Sequence, residues 1–260
     1  MKNFELSKKL KNKLKNREKI FGGWISFSHP SICETFVNAK FDFIAIDMEH
    51  STISLSEAQR IISASQAGGI PCFPRPVSHS NNWFKPLLDS GADGFIVSTV
   101  ETTVEVQNII NYIKYPPLGK RTYGLNRAQN YGFDSEEYFK NWNENSSIII
   151  QIESINAVNN IEKLIDFEDI DGVMIGPYDL SGSLNVPGQT NNKLVIEASQ
   201  KVIKACEKRN ISCGSQIADP NEKNIKDFFN LGYTFCILGS DLFALWNWSK
   251  NISKLIKISR

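Results

Sequence analysis

FDFIAIDMEHSTISLSEAQRIISASQAGG, residues 41–69, contains one repeat of a pattern that runs through the whole chain. FDFIAI is a continuous apolar, β-branched run, as expected for a parallel strand covered on both faces. Ser54 or Ser56 can cap a helix, the apolar residues of SEAQRIISASQ have helical spacing, and the closing glycines suit a left-handed C-cap. Seven more strand-then-helix pairs follow the same plan. Their strand runs are GGWISF (22–27), PCFPRP (71–76), GFIVST (94–99), SIIIQIE (147–153), GVMIGP (172–177), ISCGSQI (211–217) and TFCILGS (234–240). Eight units with no low-complexity break predict an α/β fold of the single (β/α)₈ TIM-barrel type. The rival, an open doubly wound sheet, usually has a Gly-rich phosphate turn after its first strand, and the chain has none there.

The 260 residues are read as one domain: a basic helix over 1–20, a barrel core over 21–245 and a last helix over 241–260. Apolar content of 41% supports a substantial core, and charged content of 22% with a net charge of +1 gives no basic surplus for nucleic acid. KNFELSKKLKNKLKNREK is locally Lys-rich and reads as a solvated amphipathic helix, and as the best place for a partner contact. No apolar run reaches the ~20 residues of a membrane span. The five cysteines, Cys33, Cys72, Cys206, Cys213 and Cys236, form no CxxC pair and are read as reduced core residues of a cytoplasmic protein. The irregular stretch YPPLGKRTYGLNRAQNYGFD (115–134) is long enough to be expected as a lid or binding loop.

Barrel chemistry collects where strands end. The second strand ends in Asp47, Glu49 and His50, the third in Arg75 between two prolines, and the fifth in Gln151 and Glu153. The sixth ends in GPYD with Tyr178 and Asp179, the seventh in Gln216, and the eighth in Ser240 and Asp241. Taken singly, Glu153 or Asp179 could be a helix cap; together, so many costly polar ends point to a site. Two carboxylates, Glu153 and Asp179, suit Mg²⁺ or Mn²⁺, with Co²⁺ as a further option, better than zinc, because no histidines stand at ligand spacing. Arg75 can oppose an oxyanion, and His50 is the natural proton carrier, with Asp47 or Asp89 as the acid that orients it. These parts describe enolate chemistry next to a 2-oxo acid.

The ordered set IDMEH, PRP, LLDSGADG, YPPLGKR, IQIES and IGPYDLSGSL resembles the HpcH/HpaI aldolases over roughly residues 20 to 245. The resemblance implies a divalent metal on Glu153 and Asp179, His50 as the base, Asp89 beside His50 with Asp47 in the same network, and Arg75 against a pyruvate enolate. It also implies substrate contacts from Gln151, Tyr178 and Asp179, and a homo-oligomer, commonly a hexamer, with the last helix packed on a neighbour. The chain departs from that pattern at Tyr178, where a small residue is usual, at Gln216, where an apolar one is usual, and at Thr122 and Tyr123.

The expected reaction is cleavage or formation of a 4-hydroxy-2-oxo acid from pyruvate and an aldehyde by way of a metal-bound enolate. Three other readings stand beside it: a 2-oxo acid decarboxylase, a citrate-lyase-β-like lyase, and a non-catalytic binding barrel. A Schiff-base aldolase needs a lysine at a strand end, and the strand ends carry none.

Overall fold

The computed structural model describes residues 4–260, so the first three residues of the basic segment lie outside the described residues. Helix α1 (Phe4–Lys15) precedes β1 (Ile20–Ile25) and α2 (Pro30–Val37). Then come β2 (Phe43–Asp47), α3 (Leu55–Ala67), β3 (Cys72–Arg75), α4 (Asn81–Asp89), β4 (Gly94–Val97) and α5 (Thr103–Ile113). A 3₁₀ segment (Arg127–Gly132) leads to α6 (Ser135–Asn145), β5 (Ser147–Ile152), α7 (Ile155–Leu164), β6 (Gly172–Ile175) and the short α8 (Pro177–Ser183). The chain closes with α9 (Lys193–Arg209), β7 (Ser212–Ile217), α10 (Glu222–Asn230), β8 (Phe235–Leu238) and α11 (Asp241–Ser259).

All strands run parallel in the order β3-β2-β1-β8-β7-β6-β5-β4, a nearly closed (β/α)₈ barrel. Alternate strand residues, among them Phe43, Ala45, Phe73, Ile149 and Phe235, fill the interior. The residues between them, such as Ile44, Ile46, Ile148 and Ile150, pack under the helices. Burial on both faces explains the unbroken apolar runs. Gly22 makes room for this packing, because a Cβ there would lie 2.5 Å from the Phe43 ring.

The two edge strands, β3 and β4, meet at a seam. Pro71, Pro74 and Pro76 remove the N–H groups a ladder along β3 would use. Asp93 supplies the closure: its N–H donates to Cys72 O at 2.9 Å, and Cys72 N–H donates to Asp93 Oδ2 at 2.9 Å. The same reciprocal ring recurs where the other strands begin. Asp42 pairs with Phe21, Asp171 with Ile148, and Thr234 with Cys213, each through one backbone and one side-chain acceptor.

Helix α1 plugs this end of the barrel. Leu10 and Leu14 enter the interior cluster. Ser7 Oγ donates to Asp93 Oδ1 at 2.9 Å, Lys13 reaches Asp42 at 2.7 Å, and buried Lys11 reaches Ser146 O at 2.7 Å and Asp171 Oδ2 at 3.0 Å. This corrects the reading of α1 as a solvated helix: Lys11 and Lys13 neutralise Asp171 and Asp42 at the strand starts, and burial without such pairing would be costly.

The loop over 115–134 also departs from expectation. It joins the end of α5 to α6, so it lies on the side where strands begin, away from its own barrel mouth. Its Arg121 is buried among aromatic rings, 4.6 Å from the centre of Tyr115 and 4.7 Å from that of Trp142. All five cysteines are buried and unpaired. Among the described residues, no helix is long and apolar enough to cross a membrane.

Candidate active site

Arg75 is the hub of the polar groups where the strands end. Its Nε and Nη2 donate to Asp47 Oδ1 at 3.1 and 2.8 Å, and its Nη1 stands 3.1 Å from Glu49 Oε2 and 3.3 Å from Gln151 Oε1. The guanidinium lies over the Trp24 ring at 4.7 Å. β2 and β3 set this up directly, because Asp47 and Arg75 are register partners. Gln151 passes the network on: its amide Nε2 donates to Glu153 Oε2. Gly176 is needed at this point, since a Cβ would come within 2.8 Å of both Gln151 Nε2 and Glu153 Oε2.

Glu153 closes the network. Its Oε1 accepts from Thr99 N–H at 2.6 Å. Thr99 holds a left-handed φ of 54°, a strained conformation for a β-branched residue, and so presents its N–H to the carboxylate. Burial, with further contributions from the charges of Glu49 and Asp179, pushes the Glu153 carboxyl up to about 7. Asp179 stands in the first turn of α8, where the helix N-terminus favours a carboxylate.

Asp47, His50, Arg75, Gln151, Tyr178 and Asp179 line one cavity of about 240 Å³ at the mouth. A larger groove of about 790 Å³ lies outside the barrel between α7 and α9, lined by lysines such as Lys201, Lys204 and Lys208. It has no comparable convergence of functional groups.

Two expectations change. Within one chain Asp89 does not stand beside His50. It ends α4, on the side where strands begin, and pairs with Arg121 at 3.3 Å. Asp47 does not orient the imidazole either: it binds Arg75 and accepts from the backbone N–H of His50 at 3.2 Å. The acid facing the His50 ring is Glu49, with Oε2 3.7 Å from Nε2, while the ring itself is 64% exposed. Glu49 is the residue that sequence reasoning left without a role. Its Oε1 accepts from Ser98 Oγ at 2.7 Å, and its Oε2, beside both Arg75 and His50, is buried without a hydrogen bond. The signal was present in DMEH, because alternation along an extended end puts 47 and 49 on one face.

The sequence profile of the HpcH/HpaI aldolase/citrate lyase family matches residues 21–247. The chain belongs to that family. It is 31% identical over 208 residues to the 2-keto-3-deoxy-L-rhamnonate aldolase of Escherichia coli K12, covering 78% of each protein. It is 30% identical over 247 residues to the hydroxypyruvate/pyruvate aldolase of Roseobacter denitrificans, covering 94% of each. The crystal structure of an HpcH/HpaI aldolase from Desulfitobacterium hafniense matches with a TM-score of 0.86 at 26% identity, over 95% of this chain and 96% of that one.

The HpcH/HpaI donor set can be tested against the divalent cation the family implies. Among the described residues, no three His, Cys, Asp or Glu side chains form a ready-made cage. Mg²⁺-type ions need less, usually one or two carboxylates with waters and substrate oxygens completing the shell. Glu153 and Asp179 fit that role, because Glu153 is a buried acid among other acids, a charge excess that a cation relieves. With the Glu153 carboxyl raised to about 7, its protonation at lower pH would oppose such binding. Calorimetric titration of Mn²⁺ into the wild-type protein is expected to show affinity falling about tenfold per pH unit below 7, with one proton released per ion. Equal affinity at pH 6 and 8 would rule out Glu153 as the titrating ligand.

Proposed function

We propose that the protein is a class II pyruvate aldolase, a carbon–carbon lyase that cleaves or forms 4-hydroxy-2-oxo acids from pyruvate and an aldehyde. The observation that carries this reading is the network joining Arg75 through Gln151 to Glu153, beside the cavity that Arg75, Gln151, Asp179 and His50 line. Family membership and the two aldolase relatives support the same reaction class.

Glu153 and Asp179 would hold Mg²⁺ or Mn²⁺, which supplies Lewis-acid stabilisation of negative charge on the 2-oxo acid. Arg75 directs guanidinium N–H groups at the same charge. Asp47 and Glu49 fix its fork, and Gln151 holds its inner edge, so little reorganisation accompanies the reaction. His50, at the exposed rim beside Glu49, takes the C4 hydroxyl proton as the C3–C4 bond breaks; the electron pair is left on the pyruvate enolate, and protonation at C3 completes pyruvate. A Schiff base has no support here. Burial pushes the Lys114 ammonium down to about 8, but it closes α5 at the opposite end and donates to Asn143 O and Ser146 O.

We further propose a cytoplasmic homo-oligomer, with a hexamer as the expectation from the family. Five unpaired cysteines suit a reducing compartment. Helix α11 leaves Leu242, Leu245, Trp246 and Trp248 about half exposed or more, beside an apolar groove of about 490 Å³ that includes Phe36, Phe41 and Phe243. Such a face is a protein–protein contact more often than a solvent surface.

Loss of one preorganised oxyanion donor costs about 10²–10³ in turnover, so Arg75→Ala is expected to fall by that factor in a pyruvate-release assay. Turnover near that of wild type would remove Arg75 from the mechanism. Light scattering after chromatography is expected to show a smaller assembly for Leu245→Lys/Trp246→Glu than for wild type. Identical masses would exclude α11 as the contact.

A further inference from the structure

The part of the cavity that pyruvate leaves free has a definite chemical character. Arg75, Glu153 and Asp179 come from β3, β5 and β6, so the 2-oxo acid sits towards that side. The remaining wall follows the strand order through β7, β8 and β1, and is formed by Gln216, Ala218, Ser240, Leu242 and Phe243, with Trp24 and Ser26 from the end of β1. Three features of it bear on the second substrate.

The first is size. A cavity of about 240 Å³ is smaller than the ~300–1,000 Å³ of sites for drug-sized ligands, so beside pyruvate only a short aldehyde fits. The second is charge. Arg75 is the one Lys or Arg in the lining, and Asp47 and Glu49 already hold it. With the carboxylate of the 2-oxo acid taking up the charge of the cation on Glu153 and Asp179, a second carboxylate carried by the aldehyde finds no further Lys or Arg in the lining. The third is Gln216. Its Nε2 donates to Gly239 O at 3.0 Å, which fixes the amide, and its Oε1 makes no hydrogen bond among the described residues. The other polar side chains of this wall are the hydroxyls of Ser26 and Ser240, and that of Ser240 already accepts from Phe243 N–H at 3.1 Å as a helix cap.

We propose that Gln216 is a specificity residue that accepts a hydrogen bond from a hydroxyl of the aldehyde, and that the second substrate is a short, uncharged hydroxyaldehyde. This rests on the aldolase reading above and deepens it. A wall that hydrogen-bonds a substrate hydroxyl discriminates against the analogue lacking it, whereas an apolar wall does not.

The test compares kcat/KM for aldol addition of pyruvate, with Mn²⁺, to glycolaldehyde, to propanal and to succinic semialdehyde. Wild type is expected to favour glycolaldehyde over its near-isostere propanal by about 3- to 10-fold, the size of one neutral hydrogen bond, and to favour it over succinic semialdehyde by more. In Gln216→Leu and Gln216→Met the glycolaldehyde-to-propanal ratio is expected to fall to about one or to invert. The ratio is taken within each variant, so a general loss of activity cancels, and the wild-type ratio is decisive even if one variant does not fold. An unchanged ratio in the variants, no preference in wild type, or efficient use of succinic semialdehyde would overturn the inference while leaving the aldolase reading in place. No aldol product with any aldehyde would overturn both.

Discussion

The placement of one buried arginine against three polar partners and a tryptophan ring governs the site. Arg75 is not a free cation at a barrel mouth. Asp47 and Glu49 hold its fork from β2 and its extension, Trp24 lies beneath it, and Gln151 joins it to Glu153. The acids exceed what Arg75 can neutralise. Glu153 is left buried, near Glu49 and Asp179, with one backbone N–H and one amide as donors, and its proton affinity rises accordingly. A carboxylate in that condition either keeps a proton or takes up a cation. The same arrangement leaves an excess of negative charge that the proposed cation would relieve.

The barrel makes this arrangement rigid at a distance. The strand ends that carry Asp47, Arg75, Glu153 and Asp179 keep their spacing only if the strand starts are locked. Reciprocal rings of Asp42, Asp93, Asp171 and Thr234 do that, and the one between Asp93 and Cys72 closes the seam that proline-rich β3 leaves without a ladder. Helix α1 ties these rings together through Ser7, Lys11 and Lys13. Structural and reactive acids therefore occupy opposite ends of the same strands, as the barrel plan requires.

Much of this was legible in the sequence. The eight apolar runs gave the barrel because burial on both faces leaves a strong, local signature, and Arg75, Gln151, Glu153 and Asp179 were recognisable as polar residues where such runs stop. What was not legible depended on which end of an element a residue occupies. Asp89 and the loop over 115–134 lie where strands begin, so within its own chain Asp89 pairs with Arg121 and not with His50. Lys11 and Lys13 read as solvated because their acidic partners are 160 and 29 residues away in the chain. Glu49 was missed because its role comes from Arg75, Ser98 and His50 together, a convergence that exists only after folding.

The most direct test of the charge arrangement is proton NMR of pyruvate in D₂O with the wild-type enzyme and no aldehyde. If Arg75, Glu153 and a cation together stabilise the enolate, solvent deuterium enters the methyl group when Mg²⁺ or Mn²⁺ is present and stops entering when EDTA is added. Exchange that continues undiminished in EDTA, or that never occurs with either ion, would contradict the account.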